Sequence, residues 1–286
     1  VLAYFTVIFT IGLRARADAA ADPEEYFLSS RSLRWPSIAI STIATNIEAG
    51  HFLSVAGAAY VDGLALANFE LNAIFGIVVA TFFFIPLYLR LRVVTIGQFF
   101  EQRFGPQIAL AYTVLMIALY ALLYLGTALF WAAYALDGIF TEMVAWISDS
   151  QAVRFAVLIV ALGAFSALYT YLGGLRAVVR TDLAQFVLLL GGGLITVSVA
   201  VHHLGGWSAL FAKTGHLMHL HLPRDHQTIP WTALIGMNLL NLNYWGANQV
   251  ILQRALAAKS LRDAQLGLLV GGVLKYVMLL IIVIPG

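Results

Sequence analysis

The 286-residue sequence has no cysteine and very little charge. Without cysteine there is no disulfide and no thiol chemistry, and nothing about redox compartment is legible. Charged residues make up only 10% of the chain, whereas soluble domains carry about 25%. That scarcity excludes an ordinary soluble domain, and no nucleic-acid partner is expected. What fills the chain is apolar: 61% hydrophobic residues and a mean hydropathy of +0.88. The lipid bilayer is therefore its first partner. An initiating Met and a basic n-region are both absent ahead of VLAYFTVIFTIGL, so a signal peptide is a poor reading. The last residues, Val283 to Gly286, close an apolar run. The expectation is the N-terminal part of a longer protein.

Eight apolar segments are present, at about 1–13, 37–60, 63–89, 107–136, 153–172, 177–203, 230–253 and 264–286. Each is near the roughly 20 residues that span a bilayer. The basic residues orient them. Arg14, Arg16, Arg31 and Arg34 follow the first segment. Arg90, Arg92 and Arg103 follow the third, Arg176 and Arg180 the fifth, and Arg254, Lys259 and Arg262 the seventh. The alternate loops hold only Arg154, Lys213 and Arg224. The positive-inside rule then places the N-terminus outside. The longest outer loop, about 204–229, carries the run HLMHLHLP and His226. Histidines alternating with Leu and Met read as a segment on the membrane surface, or else as a metal site.

Polar groups inside these segments are costly and usually face a cavity or a partner. The second segment contains ATNIEAGHF, with Asn46, Glu48, Gly50 and His51. On a continuous helix Glu48 and His51 share a face, but Asn46 does not join them neatly. An unwinding between Asn46 and Gly50 resolves this and frees backbone carbonyls for a hard cation such as Na⁺. Broken helices near the midplane are a transporter device. The alternative is helix–helix packing through Asn and Gly. Glu70 lies two turns into the third segment, as a solute ligand or as the partner of Lys275 or His51. Lys275 sits too deep in GGVLKYVMLLIIVIPG to snorkel easily and is read as cavity-facing. The seventh segment carries NLLNLNYWGANQ, with Asn241, Asn243, Tyr244, Trp245, Asn248 and Gln249. Amides serve hydroxyls and flat rings cover pyranose faces, while an interfacial aromatic belt is the other reading. Gly246 offers a second unwinding. The two unwound candidates lie five helices apart, the spacing of an inverted five-helix repeat.

The stretches NIEAGHFLSVAGAAYVDGLALANFELNA, VVTIGQFFEQRFG, YTYLGGLRAVVRTDLAQ and NYWGANQVILQRALAAKS resemble the sodium:solute symporter family, above all its sodium/sugar cotransporters. The resemblance covers nearly the whole chain. It implies an all-α integral membrane protein of inverted-repeat transporter fold in a single transporter domain. Segment 1–13 would be an extra helix, 37–203 the first five-helix repeat, and 230–286 the first two helices of the second. It implies Na⁺-coupled symport of a small solute, most readily a monosaccharide, with no resident cofactor, at the plasma membrane. By motif, Asn46, His51, Glu70, Asn241 and Lys275 match sugar-binding positions. Tyr244 matches the aromatic that covers the sugar on its inner side, with Trp245 beside it. The carbonyls of Ala44 and Ile47 match half of a Na⁺ site, and Asp182 matches an acidic residue near the ion's inner exit. The resemblance also leaves half of that Na⁺ site, in the rest of the second repeat, outside this chain. Glu48 departs from the pattern, since sugar-carrying members tend to have a small residue there. Phe69 departs too, by offering no hydroxyl. Two other readings stand beside this one: symport of another organic solute, and a symporter-like sensor domain fused to a signalling module. An enzyme is not expected. Glu48 and His51 form an acid–base pair at most, with no nucleophile motif or metal cluster.

Overall fold

The computed structural model describes residues 2–14 and 23–286. Val1 of the first apolar segment and Arg16 of the first basic loop lie outside the described residues. Among the described residues the chain is helical, with only two isolated bridges and no strand. We name the elements that build the interior. Helix α1 is Leu2–Arg14, α2 is Trp35–Asn46, and α3 is the long run His51–Arg90. Helix α4 is Ile96–Phe104, α5 Pro106–Ile139 and α6 Gln151–Leu204. Helix α7 is Ala233–Ala247, α8 Gln249–Leu256 and α9 Leu261–Ile282.

Four of these, α3, α5, α6 and α9, are long and apolar enough to cross a membrane. At 40 and 54 residues, α3 and α6 far exceed one crossing. Each is broken by a glycine in the left-handed region, Gly63 at φ +66° and Gly174 at φ +54°. Those breaks separate the predicted segments 37–60 from 63–89 and 153–172 from 177–203. The fifth and sixth segments are therefore joined by a bend at Gly174, not by a loop. A Cβ at Gly174 would also meet the Tyr26 carbonyl oxygen at 2.6 Å. The second and seventh segments are broken as well, as described below.

Contacts between loops tie the helix ends together in two groups. On one face the Arg31 guanidinium donates to the carbonyls of Leu256 at 3.1 Å and Val93 at 3.3 Å. The Leu33 amide donates to Ala257 and its carbonyl accepts from Lys259. Arg176 reaches Glu25 at 2.6 Å. The starts of α2, α6's second half and α9 thus meet the ends of α3 and α8. At the other ends, Asn68 donates to the Leu220 carbonyl and His226 lies 3.7 Å from Asp62. Arg154 pairs with Asp137 there at 2.5 Å.

Small residues set the helix spacing, as van der Waals packing in lipid demands. A Cβ on Gly267 of α9 would lie 2.6 Å from Ile38 of α2, and one on Gly76 of α3 would lie 2.4 Å from the Asn241 carbonyl of α7. Around these contacts lies the largest core cluster, which includes Ile38, Ile77, Tyr88, Trp245, Leu252 and Leu268. Helix α5 leaves most of its apolar surface exposed, which suits lipid contact.

Candidate functional site

The unwinding read from ATNIEAGHF is present. Helix α2 ends at Asn46, and Ile47 is extended at φ −112°, ψ 126°. A wide turn, His51–Val55, restarts the helix. The Glu48 amide donates to Nδ1 of His51 at 3.2 Å, and the His51 amide donates back to the Glu48 carbonyl. This leaves Nε2 of His51 pointing toward Glu70, 3.8 Å from Oε1.

The second break falls at Asn248, at φ −82° and ψ 114°, two residues beyond the predicted Gly246. Gly246 serves close approach instead: a Cβ there would collide with the Phe84 ring at 2.6 Å. Asn248 breaks the helix more effectively because its side chain caps α8, accepting from the Ile251 amide at 3.3 Å. Three tyrosines then satisfy the break. The hydroxyl of Tyr88 donates to the Gly246 carbonyl at 2.7 Å, that of Tyr112 to the Ala247 carbonyl at 2.6 Å, and that of Tyr120 to Asn248 Oδ1 at 2.8 Å.

Between the two breaks lies a cavity of about 800 Å³. All seven predicted solute residues, Asn46, His51, Glu70, Asn241, Tyr244, Trp245 and Lys275, line it. Glu48, Phe69, Asn243 and Asn248 line it too. Gln249 does not; its Oε1 accepts from the Ile96 amide at 2.7 Å and ties α8 to α4. At the centre, Nζ of Lys275 lies 2.5 Å from Glu70 Oε2 and 5.5 Å from the Trp245 ring centroid, and donates to Asn46 Oδ1. The Asn46 amide nitrogen donates to the Tyr244 hydroxyl at 2.8 Å. Four segments are thereby wired together through one lysine and one asparagine. Glu70 is a buried ion-pair partner of Lys275 and also lines the cavity. Trp245 is almost wholly buried and its indole N–H has no hydrogen-bond partner among the described residues.

Ala44 and Ile47 line a second, smaller cavity of about 420 Å³ beside the first break, with Tyr4, Glu48 and Gln185. Ala44 belongs to the last turn of α2, where helix carbonyls lack intrahelical donors. Asp182 is buried under this break, accepting from Ser41 at 2.5 Å and Thr45 at 3.3 Å and pairing with Arg254 at 3.2 Å. Arg254, assigned to a basic loop from the sequence, is in fact 3% exposed within α8. Its guanidinium is consumed by Asp182, Ser41 and Thr45, which explains how a charge is tolerated there.

Arg254, Ser41 and the tyrosines Tyr88, Tyr112 and Tyr120 were not singled out from the sequence. A buried phenol needs a hydrogen-bond partner, but the partners of these tyrosines lie in another segment, which no local sequence pattern shows. Among the described residues no group of three His, Asp or Glu is placed to hold a metal. His226 spends Nδ1 on the amides of Thr228 and Ile229.

Comparison with known proteins gives one consistent result. Residues 26–286 match the sodium:solute symporter family. The chain is 32% identical to the sodium/glucose cotransporter of Vibrio parahaemolyticus over 99% of its own length and 53% of that protein. It is 32% identical to sodium/glucose cotransporter 1 of Oryctolagus cuniculus over all of the chain and 46% of that protein. It is also 32% identical to sodium/myo-inositol cotransporter 2 of Bos taurus, covering 99% of the chain and 44% of that protein. A solved Na⁺-coupled sialic acid symporter, in a substrate-bound outward-open state, superposes with a TM-score of 0.82 at 19% identity, over 99% of this chain and 58% of that one. The chain spans about half the length of the curated relatives it matches. Those relatives are named as cotransporters, and the overall fold is shared with the solved symporter. On the matched residues and this full-length identity, the chain belongs to the sodium:solute symporter family.

Proposed function

We propose that this chain forms the ion- and solute-binding half of a Na⁺-coupled secondary active symporter that carries a neutral polyhydroxyl solute, most readily a monosaccharide. One observation carries the reading: a single cavity between two broken helices gathers Asn46, His51, Glu70, Asn241, Tyr244 and Lys275 from four predicted segments. Amides, an imidazole and a carboxylate match the donors and acceptors of sugar hydroxyls, and the aromatic walls suit a pyranose face. The solute is neutral because the cavity's one lysine is already spent on Glu70 and Asn46. An acidic solute would find no spare fixed cation among the described residues that line the cavity. In the relatives' names glucose and myo-inositol, both uncharged polyols, recur.

In this reading Na⁺ binds first at the carbonyls of Ala44 and Ile47 and holds the first break open to the outside. Solute then competes for Asn46, His51 and Glu70. Tyr244 releases Asn46, and the inner path opens past it. Residues 37–203 act as the first repeat and 230–286 as the start of the second, with the N-terminus outside the plasma membrane. At a potential of 100 mV one charge carries about 2.3 kcal/mol, enough to concentrate the solute about 50-fold.

The test uses the full-length gene product in proteoliposomes. Labelled glucose and galactose uptake is followed with an inward Na⁺ gradient, then with K⁺ in its place, alongside His51→Ala. Uptake that needs Na⁺ and falls at least tenfold in the variant (about 1.4 kcal/mol) supports the reading. Na⁺-dependent uptake of a different solute alone would discard the sugar. No Na⁺-dependent uptake of any solute would sink symport and favour the sensor reading.

A further inference from the structure

A separate cavity of about 590 Å³ lies where Arg31, Leu33 and Lys259 tie the helix ends together. None of its lining residues lines the solute cavity or the smaller cavity beside the first break. It holds three basic residues and one acidic one: Arg31, Arg92, Lys259 and Glu24. Arg31 and Glu24 cancel. Their side chains pair at 2.7 Å, and the rest of the Arg31 guanidinium is spent on the carbonyls of Leu256, Arg92 and Val93. Arg92 and Lys259 differ. Both are exposed, and neither side chain has a hydrogen bond or an ion pair among the described residues. Asp263 feels the charge of Lys259, but its oxygens are taken by the Ser260 hydroxyl at 2.6 Å and the Trp35 amide at 3.1 Å. The cavity is left with two uncompensated cations.

The backbone fixes where both cations start. The Lys259 amide donates to the Leu33 carbonyl at 2.8 Å, and the Leu33 amide donates to the Ala257 carbonyl at 3.0 Å. Arg92 is in the left-handed region at φ 52°, and so is Arg31 at φ 49°. Residues with a Cβ avoid that region unless their surroundings impose it, and such strain clusters at ligand clamps. The Arg31 guanidinium helps to impose it by donating to the Arg92 carbonyl at 3.4 Å. Leu261, the first residue of α9, lines the cavity too. The start of a long helix adds partial positive charge. Every contribution has the same sign, so the ligand is an anion.

The surroundings say which anion. The cavity lies at the ends of α3 and α9, two helices long and apolar enough to cross a membrane. Leu89, Val94 and Leu261 line it beside the cations. Trp35, bonded to Asp263 at the same end of α9, is 41% exposed, and exposed tryptophan marks headgroup depth. An anion that meets an arginine, a lysine and apolar side chains at that depth is a phosphate ester. We infer that this cavity binds a phosphate group through Arg92 and Lys259, and that the headgroup of an anionic phospholipid supplies it. The inference does not depend on the symport reading; it needs only a membrane surface at these helix ends.

The experiment follows the thermal midpoint of the full-length protein in detergent while short-chain phosphatidylglycerol, short-chain phosphatidylcholine or inorganic phosphate is added. Native mass spectrometry of the same samples counts bound lipid. Phosphatidylglycerol should raise the midpoint and stay bound. Phosphatidylcholine carries the same phosphate with a compensating cation and should do much less. One cation near a membrane surface is worth about fivefold in affinity. Arg92→Gln or Lys259→Gln should therefore weaken phosphatidylglycerol binding about fivefold and the double variant about 25-fold, with smaller differences at high salt. Arg103→Gln removes an exposed charge of α4 outside the cavity and should leave binding unchanged. Arg92→Lys with Lys259→Arg keeps both charges and should retain most of the binding, which guards against a glutamine variant that does not fold. Stabilisation by inorganic phosphate alone, lost in the same variants, would support the phosphate site and overturn lipid as its source. A double variant that binds like the wild type, or an equal loss in Arg103→Gln, overturns the inference, because the attraction would then belong to the basic loops at large. An equal response to phosphatidylcholine, or no response to either anion in the wild type, overturns it as well.

Discussion

Lys275 is the side chain on which the central cavity depends, and its removal has a worked consequence. Its side chain is 5% exposed and that of Glu70 10%. At 2.5 Å and an effective dielectric of about 20, their attraction is roughly 6–7 kcal/mol before desolvation. Desolvation of two ions takes back several kcal/mol, so the intact pair contributes little net stability. Removing one partner is different. Lys275→Met leaves Glu70 with only His51 at 3.8 Å, an imidazole that is neutral unless protonated. The expected cost is about 3–5 kcal/mol for an uncompensated buried charge. Adding Glu70→Gln removes that charge and should recover most of the loss. About 1–2 kcal/mol should remain, because Asn46 Oδ1 loses its donor and Trp245 its cation. Thermal unfolding of the purified full-length protein measures both. The single variant should fall by several degrees, on the order of 5 °C or more, and the double variant should sit between it and wild type. Uptake is not the assay here, because every variant loses a cavity ligand. A double variant as unstable as Lys275→Met would refute the reasoning, since it would show that the charge of Glu70 was never what Lys275 compensated.

Two further outcomes follow from the break at Asn248 and from helix contact. Tyr120→Phe deletes the 2.8 Å donation to Asn248 Oδ1, which keeps its bond from the Ile251 amide. The loss should be about 1 kcal/mol, seen as a small drop in thermal midpoint with the fold intact, and a collapse of the fold would contradict it. Gly76→Ala drives a methyl to within 2.4 Å of the Asn241 carbonyl oxygen. Monodisperse protein in size-exclusion chromatography should be lost, whereas Gly57→Ala, which meets nothing within 4 Å, should leave the profile unchanged.

The sequence showed which segments are apolar and which polar residues inside them meet in one cavity, because a polar group in an apolar run violates a strong rule. A carboxylate, a lysine or a cluster of amides in an apolar run stands out by its cost. The break in ATNIEAGHF was legible for the same reason: the spacing of Asn46, Glu48 and His51 fits no continuous helix. The break at Asn248 was displaced by two residues because glycine frees a backbone, whereas the observed break is made by a capping side chain and three remote hydroxyls. Those hydroxyls come from α3 and α5, up to 158 residues away along the chain, and no local pattern reports them. Arg254 was misplaced because a basic residue near a segment end looks like a loop residue. Only its neighbours in space, Asp182 and Ser41, explain its burial.

The two broken helices are satisfied unequally, and the difference bears on what each is for. At the second break the carbonyls of Gly246 and Ala247 and the amide oxygen of Asn248 each receive a tyrosine hydroxyl. Protein groups complete that break, so it can stand without a ligand. At the first break no side chain among the described residues donates to the carbonyls of Ala44, Thr45, Asn46 or Ile47. The chain there uses the His51 ring to hold the Glu48 amide, which satisfies a donor rather than an acceptor. Unsatisfied acceptors at membrane depth cost several kcal/mol each unless a cation or ordered water takes them. An excess of acceptors is the electrostatic complement of a small cation. A break closed by tyrosines is instead suited to form a wall and to hinge. The proposed reading puts the ion at the first break and the solute between the two, and this inequality of satisfied groups agrees with it.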